Sequence, residues 1–362
     1  MVAKKIRHLF QRHKERFLTV AFLLGFVVDN FTLNRIDQLF DVLLLTFYVV
    51  LAMASMICLY ASTAEKFSER FNPTIRKYAP LFMQYAFGGL FSGMLIFYGR
   101  SGSLLVSWPF LLIIVGVILG NETIRDRVHR FIYNIVMLFV GLISYVVLIV
   151  PVVLGHMGAL VFVGSGVLAL LIMFTFIRVL RMVVPRFVQL HLRALIFVIG
   201  TIFAIFNFLY FTNIIPPIPL SLKDVGIFHS VVRFEDGSYQ LKYEKGSWWQ
   251  FYKKSDDVFH PVAGGSIFCF AKVFAPTKIQ TDIYHKWEYY DDVQKEWIEY
   301  FRLSYPITGG GAEGYRGYTL IENYREGTWR CTVETGRGQV LGREKFKVDQ
   351  TDGIYELVTQ RE

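Results

Sequence analysis

His285 and Trp287 alternate with Ile283 and Tyr289 along a stretch that reads as a β-strand, so all four side chains share one face. On an open face the indole would stack on a ligand ring and the imidazole would supply a hydrogen bond. On a buried face His285 is a core histidine satisfied by a neighbour, which is the more economical reading. The run Gly309-Gly-Gly-Ala-Glu-Gly-Tyr-Arg316 is the better recognition segment. Its glycines can turn backbone N–H groups toward an anion or a sugar, while Glu313, Tyr315 and Arg316 add a carboxylate, a ring and a guanidinium. It is not a phosphate-cradling P-loop, because no Gly-Lys-Ser/Thr closes it. The plainer alternative is a hairpin loop whose Arg316 makes a structural ion pair. Trp248, Trp249, Phe251 and Tyr252 form a further aromatic group, suited to sugar stacking, to the lipid headgroup region or to a core strand.

Polar residues within apolar runs are the other source of chemistry, since an ionisable group inside a membrane is costly and marks function by default. Asp29 and Asn207 are the two intramembrane candidates, with Gln84 and Asn134 able to extend a polar cavity. Asp29, Asp37 and Asp41 also lie close to the ends of the first two apolar runs, and a solvated cap is the simpler expectation for them. No catalytic constellation, cofactor site or metal-ligand set stands out. There is no His-Glu-x-x-His, Cys-x-x-Cys or Gly-x-Ser-x-Gly, and His156 stands alone between two apolar runs. Enzymatic activity is therefore not indicated. Cys58 falls within an apolar run. Cys269 and Cys331 each alternate with apolar neighbours on their own predicted strands, so two buried free thiols are expected, with a disulfide the permitted alternative in an oxidising compartment.

The elements that position these residues fall into two halves. Hydrophobic residues make up 54% of the 362 residues, and the long apolar runs all precede Pro216-Pro217. A membrane-crossing helix needs roughly 20 mainly apolar residues. Seven runs qualify: about 17–33, 39–62, 79–98, 103–120, 131–151, 157–177 and 194–215. The basic leader at residues 1–16 resembles a secretory signal, but no small-x-small cleavage site follows, so the first run is expected to be retained. Alternate loops collect the basic residues. Seventeen Lys and Arg lie in the N-terminus and in the loops around 63–78, 121–130 and 178–193, whereas the intervening loops hold only Arg35 and Arg100. That asymmetry puts the N-terminus in the cytoplasm and, with an odd number of spans, the C-terminal region outside. The net charge of +9 thus belongs to cytoplasmic loops rather than to a nucleic-acid-binding surface. Gly89-x-x-x-Gly93 and Gly116-x-x-x-Gly120 are small-residue pairs that let helices approach closely.

A stiff Ile215-Pro-Pro-Ile-Pro219 junction, covering about 216–222, leads into a β domain over 223–362. Strands are predicted at 231–234, 239–243, 266–274, 283–290, 297–305, 315–321, 328–335 and 339–348. Turns fall at Asp236-Gly237 and Gly336-Arg337-Gly338. Eight short strands with little helical periodicity predict an all-β, sandwich-like domain.

Phe268-Cys-Phe270, Phe274-Ala-Pro276, His285-Lys-Trp287, Gly309–Arg316, Gly327-Thr-Trp-Arg330, Leu341-Gly-Arg343 and Phe346-Lys-Val348 together resemble the bacterial envelope proteins grouped as domain of unknown function 2914. The resemblance spans about 220–350 and implies an envelope location and this architecture, without an activity. The resulting expectation is an integral inner-membrane protein whose outer domain binds a glycan, a lipid headgroup or a partner protein, in contact with membrane lipid and not with nucleic acid. The alternative is a transporter or membrane enzyme acting on a lipid-linked substrate within the seven-span bundle.

Overall fold

The computed structural model describes residues 27–29, 31–33, 35–102, 104–123, 127–245, 255–261, 265–276, 279–309, 314–350 and 355–362. The chain divides into two compact units, Met1–Gly99 with Ser107–Ile215, and Pro216–Glu362 with the short segment Arg100–Val106.

The first unit is a helix bundle: α1 (Leu39–Thr63), α2 (Asn72–Arg100), α3 (Leu104–Thr123), α4 (Arg127–Leu154), α5 (Ala159–Val183) and α6 (Pro185–Phe211). Five of them, α1, α2, α4, α5 and α6, are long and apolar enough to cross a membrane, as in a multi-pass membrane protein. α3 holds a shorter apolar stretch, Val106–Gly120. Most of the first expected run lies outside the described residues. α2 and α4 are mostly buried, whereas α1, α5 and α6 leave large apolar side chains such as Leu160, Met182, Leu190 and Phe197 exposed. Exposed apolar faces of this kind suit hydrocarbon rather than water.

Small residues on α2 make room for α1 side chains. A Cβ at Gly89 would stand 2.4 Å from the Tyr48 ring, and one at Gly93 would stand 2.6 Å from Leu45. The pair on α2 therefore admits two α1 side chains that alanine would displace. In the second pair, Gly120 lies against Tyr133 while Gly116 faces open space.

The second unit contains eleven strands among the described residues, arranged in three open sheets. One sheet orders β1 (Ser221–Phe228), β5 (Ile267–Phe274) and β8 (Tyr315–Ile321). The largest runs β4 (Val258–Phe259), β10 (Val340–Val348), β9 (Gly327–Thr335), β6 (Gln280–Asp291) and β7 (Glu296–Thr308). The third orders β11 (Leu357–Arg361), β3 (Tyr239–Glu244) and β2 (Ser230–Arg233). All eight predicted strands are present. The expected hairpin joins β2 to β3, with Arg233 opposite Tyr239 and Gly237 at φ +80°, the left-handed backbone that glycine adopts at little cost. Sequence alternation missed β1, which carries Lys223 and Asp224 in mid-strand, the two-residue β4 and the C-terminal β11. Alternation identifies half-buried strands without naming their pairing partners, so the division into three sheets was not legible in it.

Ile227, Ile267 and Cys269 from the first sheet pack with Trp287, Trp329, Cys331 and Phe346 from the largest. Cys269 and Cys331 form a disulfide with a Cα–Cα distance of 6.5 Å, overturning the expected free thiols. Their strands belong to different sheets whose apolar faces meet, so the two sulfurs oppose each other across the core.

Candidate functional site

His285 and Trp287 do share a strand face, but that face is the core. Both are fully buried. Trp287 donates its indole N–H to Thr319 Oγ1 at 3.0 Å, and the same hydroxyl lies 3.0 Å from His285 Nδ1. His285 Nε2 is 3.0 Å from the Tyr305 hydroxyl. Complete burial lowers the His285 pKa to about 3, so the imidazole stays neutral. Both side chains therefore sit in the core, the more economical of the two readings of this strand face. A Cβ at Gly317 would come within 2.3 Å of the Tyr305 ring, so glycine there makes room for this arrangement.

Tyr315 and Arg316 open β8. Tyr315 is partly exposed and lies parallel to Tyr305, with centroids 6.4 Å apart. Arg316 accepts a hydrogen bond from Tyr239 at its backbone oxygen, while its Nε is buried without a hydrogen-bond partner among the described residues. Glu313 lies outside the described residues, as do Trp248, Trp249, Phe251 and Tyr252. In the bundle, Asp29 and Asp41 are fully buried, which corrects the solvated cap. Tyr48 donates its hydroxyl to Asp29 Oδ1 at 2.7 Å, and Arg35 N–H donates to Asp41 Oδ2 at 2.8 Å. Asn207 donates to the Phe203 carbonyl on its own helix. The hydrogen bonds of Asp29 and Asn207 therefore end on different partners.

Two groupings escaped sequence reading. The first is an open cleft of about 460 Å³ lined by Tyr289, Tyr300, Glu322, Asn323, Tyr324, Arg325 and Trp329, a size within the usual range for small-ligand sites. Trp329 is its buried floor, with Tyr300 and Tyr289 meeting it at centroid distances of 5.3 and 5.6 Å. The β8–β9 connection forms the rim. Trp329 donates its indole N–H to the Arg325 carbonyl at 2.8 Å, and Tyr324 donates its hydroxyl to Gly265 O at 2.8 Å. The Arg325 guanidinium lies 3.6 Å from the Tyr289 ring centroid, a cation–π contact. Gly327, at φ +130°, turns the chain from this rim into β9. The result is an aromatic surface with a carboxylate, an amide and a guanidinium around it. Tyr289, Tyr300 and Trp329 come from three different strands, so their meeting was hidden in the sequence.

All seven cleft residues fall within residues 280–348, the segment that matches the family described as "Protein of unknown function (DUF2914)". Residues 280–348 form a DUF2914 domain. The match is narrower than the resemblance seen in the sequence, because it leaves out β1–β5. The DUF2914 domain contains β6, β7, β8, β9 and β10, and with them His285, Trp287, Tyr315 and Arg316. No curated protein matches the chain. Among solved structures, Pseudomonas fluorescens alkylpurine DNA glycosylase AlkC, bound to DNA containing an abasic site analog, aligns over 87% of this chain and 100% of its own. Its identity is 9% and its TM-score 0.24, too low to carry a fold or functional argument.

The second grouping lies ahead of the DUF2914 domain. His229 between β1 and β2, Glu244 at the end of β3, Asp256 before β4 and His260 after it converge in space. Burial alone would raise the Glu244 pKa, but hydrogen bonds from His229 and His260 outweigh it and hold the carboxyl below its ordinary value.

Proposed function

We propose that this protein is a multi-pass inner-membrane protein of the bacterial envelope, with its N-terminus in the cytoplasm and its β domain outside, and that the DUF2914 domain binds a glycan in the aromatic cleft. The observation that carries this reading is the pairing of the exposed Tyr300 ring with Glu322, Asn323 and Arg325 in one cleft. A sugar presents C–H faces that pack on an aromatic ring and hydroxyls that exchange hydrogen bonds with carboxylate, amide and guanidinium groups. The loop charges support the orientation. The Cys269–Cys331 disulfide suits an oxidising extracytoplasmic compartment.

The test is binding of the full-length protein in detergent to solubilised envelope glycans, read by calorimetry. Saturable binding that falls at least about 10-fold in Tyr300→Ala and in Arg325→Ala supports the reading, a loss of about 1.4 kcal/mol. Equal binding by both folded variants, or none by wild type, removes it. A second reading, transport or membrane enzymology on a lipid-linked substrate, rests on the carboxylate of Asp29 buried between helices. It requires Asp29→Asn to abolish function while the cleft variants leave it unchanged.

A further inference from the structure

The geometry points to a divalent transition-metal site, best suited to Zn²⁺, formed by His229, Glu244, Asp256 and His260. This site is separate from the aromatic cleft and does not rest on the glycan reading.

The donor atoms already converge. His229 Nε2 is 3.0 Å from Glu244 Oε1 and 3.6 Å from Asp256 Oδ2. His260 Nδ1 is 2.9 Å from Glu244 Oε2 and 3.1 Å from Oε1. One donor each from His229, Glu244 and Asp256 fits within a mutual separation of 4.8 Å. A tetrahedral zinc with bonds of about 2.1 Å holds its ligand atoms about 3.4 Å apart, so the donors of His229, Glu244 and Asp256 need only small side-chain adjustments, and His260, held on Glu244, turns inward to complete the tetrahedron. Two imidazoles and two carboxylates are ligands that zinc accepts readily.

The surroundings fix the ligands. His229 is stacked on Phe259, with centroids 4.1 Å apart and ring planes 16° from parallel. His260 is stacked on Tyr355 at 3.7 Å and 9°. The Glu244 backbone N–H donates to Asp256 Oδ1 at 2.7 Å, and the His260 N–H donates to Glu244 Oε1 at 2.8 Å. These contacts limit ring and carboxylate rotation, as outer contacts do around metal ligands. The side chain of Asp256 is 0% exposed and those of His229 and Glu244 are 7% exposed each, whereas that of His260 is 16% exposed and gives an entry side.

Charge gives the physical reason for a cation. The ion pairs to Glu244 come from two histidines, and His229 is shared with Asp256. Two carboxylates removed from water require about two positive charges nearby. A divalent ion supplies both at once and accepts a lone pair from each neutral imidazole.

The test uses the full-length protein in detergent, stripped with a chelator and titrated with Zn²⁺ by calorimetry. Co²⁺ serves as a parallel optical probe of tetrahedral coordination. One equivalent per chain, with a tetrahedral Co²⁺ spectrum and a raised melting temperature, is expected. Loss of an outer-shell partner already costs about 10–100-fold in metal affinity, so His260→Asn and Glu244→Gln are each expected to cost at least about 100-fold. His260→Asn, at the most exposed ligand, keeps the test open if Glu244→Gln does not fold. Failure of the folded wild type to bind Zn²⁺ or Co²⁺ would overturn the site. Undiminished binding by folded His260→Asn would do the same.

Discussion

Trp287 and His285 share one hydroxyl, that of Thr319, at 3.0 Å each. This single oxygen on β8 ties two buried polar side chains of β6 to the neighbouring sheet. Replacing it leaves both without that partner. Thr319→Val is expected to destabilise the β domain by about 2–3 kcal/mol, since each buried polar group left unpaired costs about 1–3 kcal/mol. Thermal denaturation followed by near-UV circular dichroism checks this. Glycan and metal affinity measured on the protein that remains folded should not change.

Two titratable groups make stability depend on pH with opposite signs. The folded pKa of His285 lies near 3, below its ordinary 6.5, so the unfolded chain binds the extra proton and stability falls as pH drops below about 6.5. At pH 5 this amounts to about 2 kcal/mol. Glu344 is displaced upward from 4.5 to about 7 by burial, by the charge of Asp257 and, less, by that of Asp224. There the folded chain holds the extra proton, and stability falls as pH rises from about 4.5 to about 7. Glu344→Gln should therefore stabilise the domain at pH 8 by up to about 3 kcal/mol and have little effect at pH 4. Denaturant midpoints across this range measure both slopes. An unchanged midpoint at pH 8 would contradict the Glu344 account.

The Cys269–Cys331 bridge closes a loop with a sequence separation of 62 residues and joins two sheets. By chain-entropy reasoning a loop of that length contributes about 4 kcal/mol. A Cys269→Ala/Cys331→Ala double variant should lose roughly that amount in denaturant unfolding. Both cysteines are fully buried, so in the native protein these two should resist alkylation, unlike the free Cys58, unless the bridge is reduced under unfolding conditions.

In the bundle, Gly89 makes room for the ring of Tyr48, whose hydroxyl reaches Asp29. Gly89→Ala should destabilise the bundle by about 1–3 kcal/mol through overpacking. Tyr48→Leu should cancel part of that loss, because it removes the ring the new methyl would meet. Thermal aggregation in detergent of the two single variants and the double variant completes the cycle, and strict additivity would exclude the contact.

Much of the architecture was legible because it depends on local pattern. Apolar runs marked α1 to α6, since a segment's length and polarity are its own properties. Period-two alternation and the Asp236-Gly237 turn marked eight strands for the same reason. Gly89 and Gly93 announced a close helix approach, although not that Tyr48 and Leu45 would fill it. Strand pairing, by contrast, joins distant residues. Nothing local shows how eleven strands divide among three sheets, or that Cys269 on β5 meets Cys331 on β9. The face shared by His285 and Trp287 was visible, but its burial was decided by β8, which brings Thr319 onto it. The cleft needed Tyr289, Tyr300 and Trp329 from three strands and Arg325 from a connection. His229, Glu244, Asp256 and His260 lie at spacings that match no ligand motif. Only the return of β1–β2, β3 and β4 to one place brings these side chains into contact.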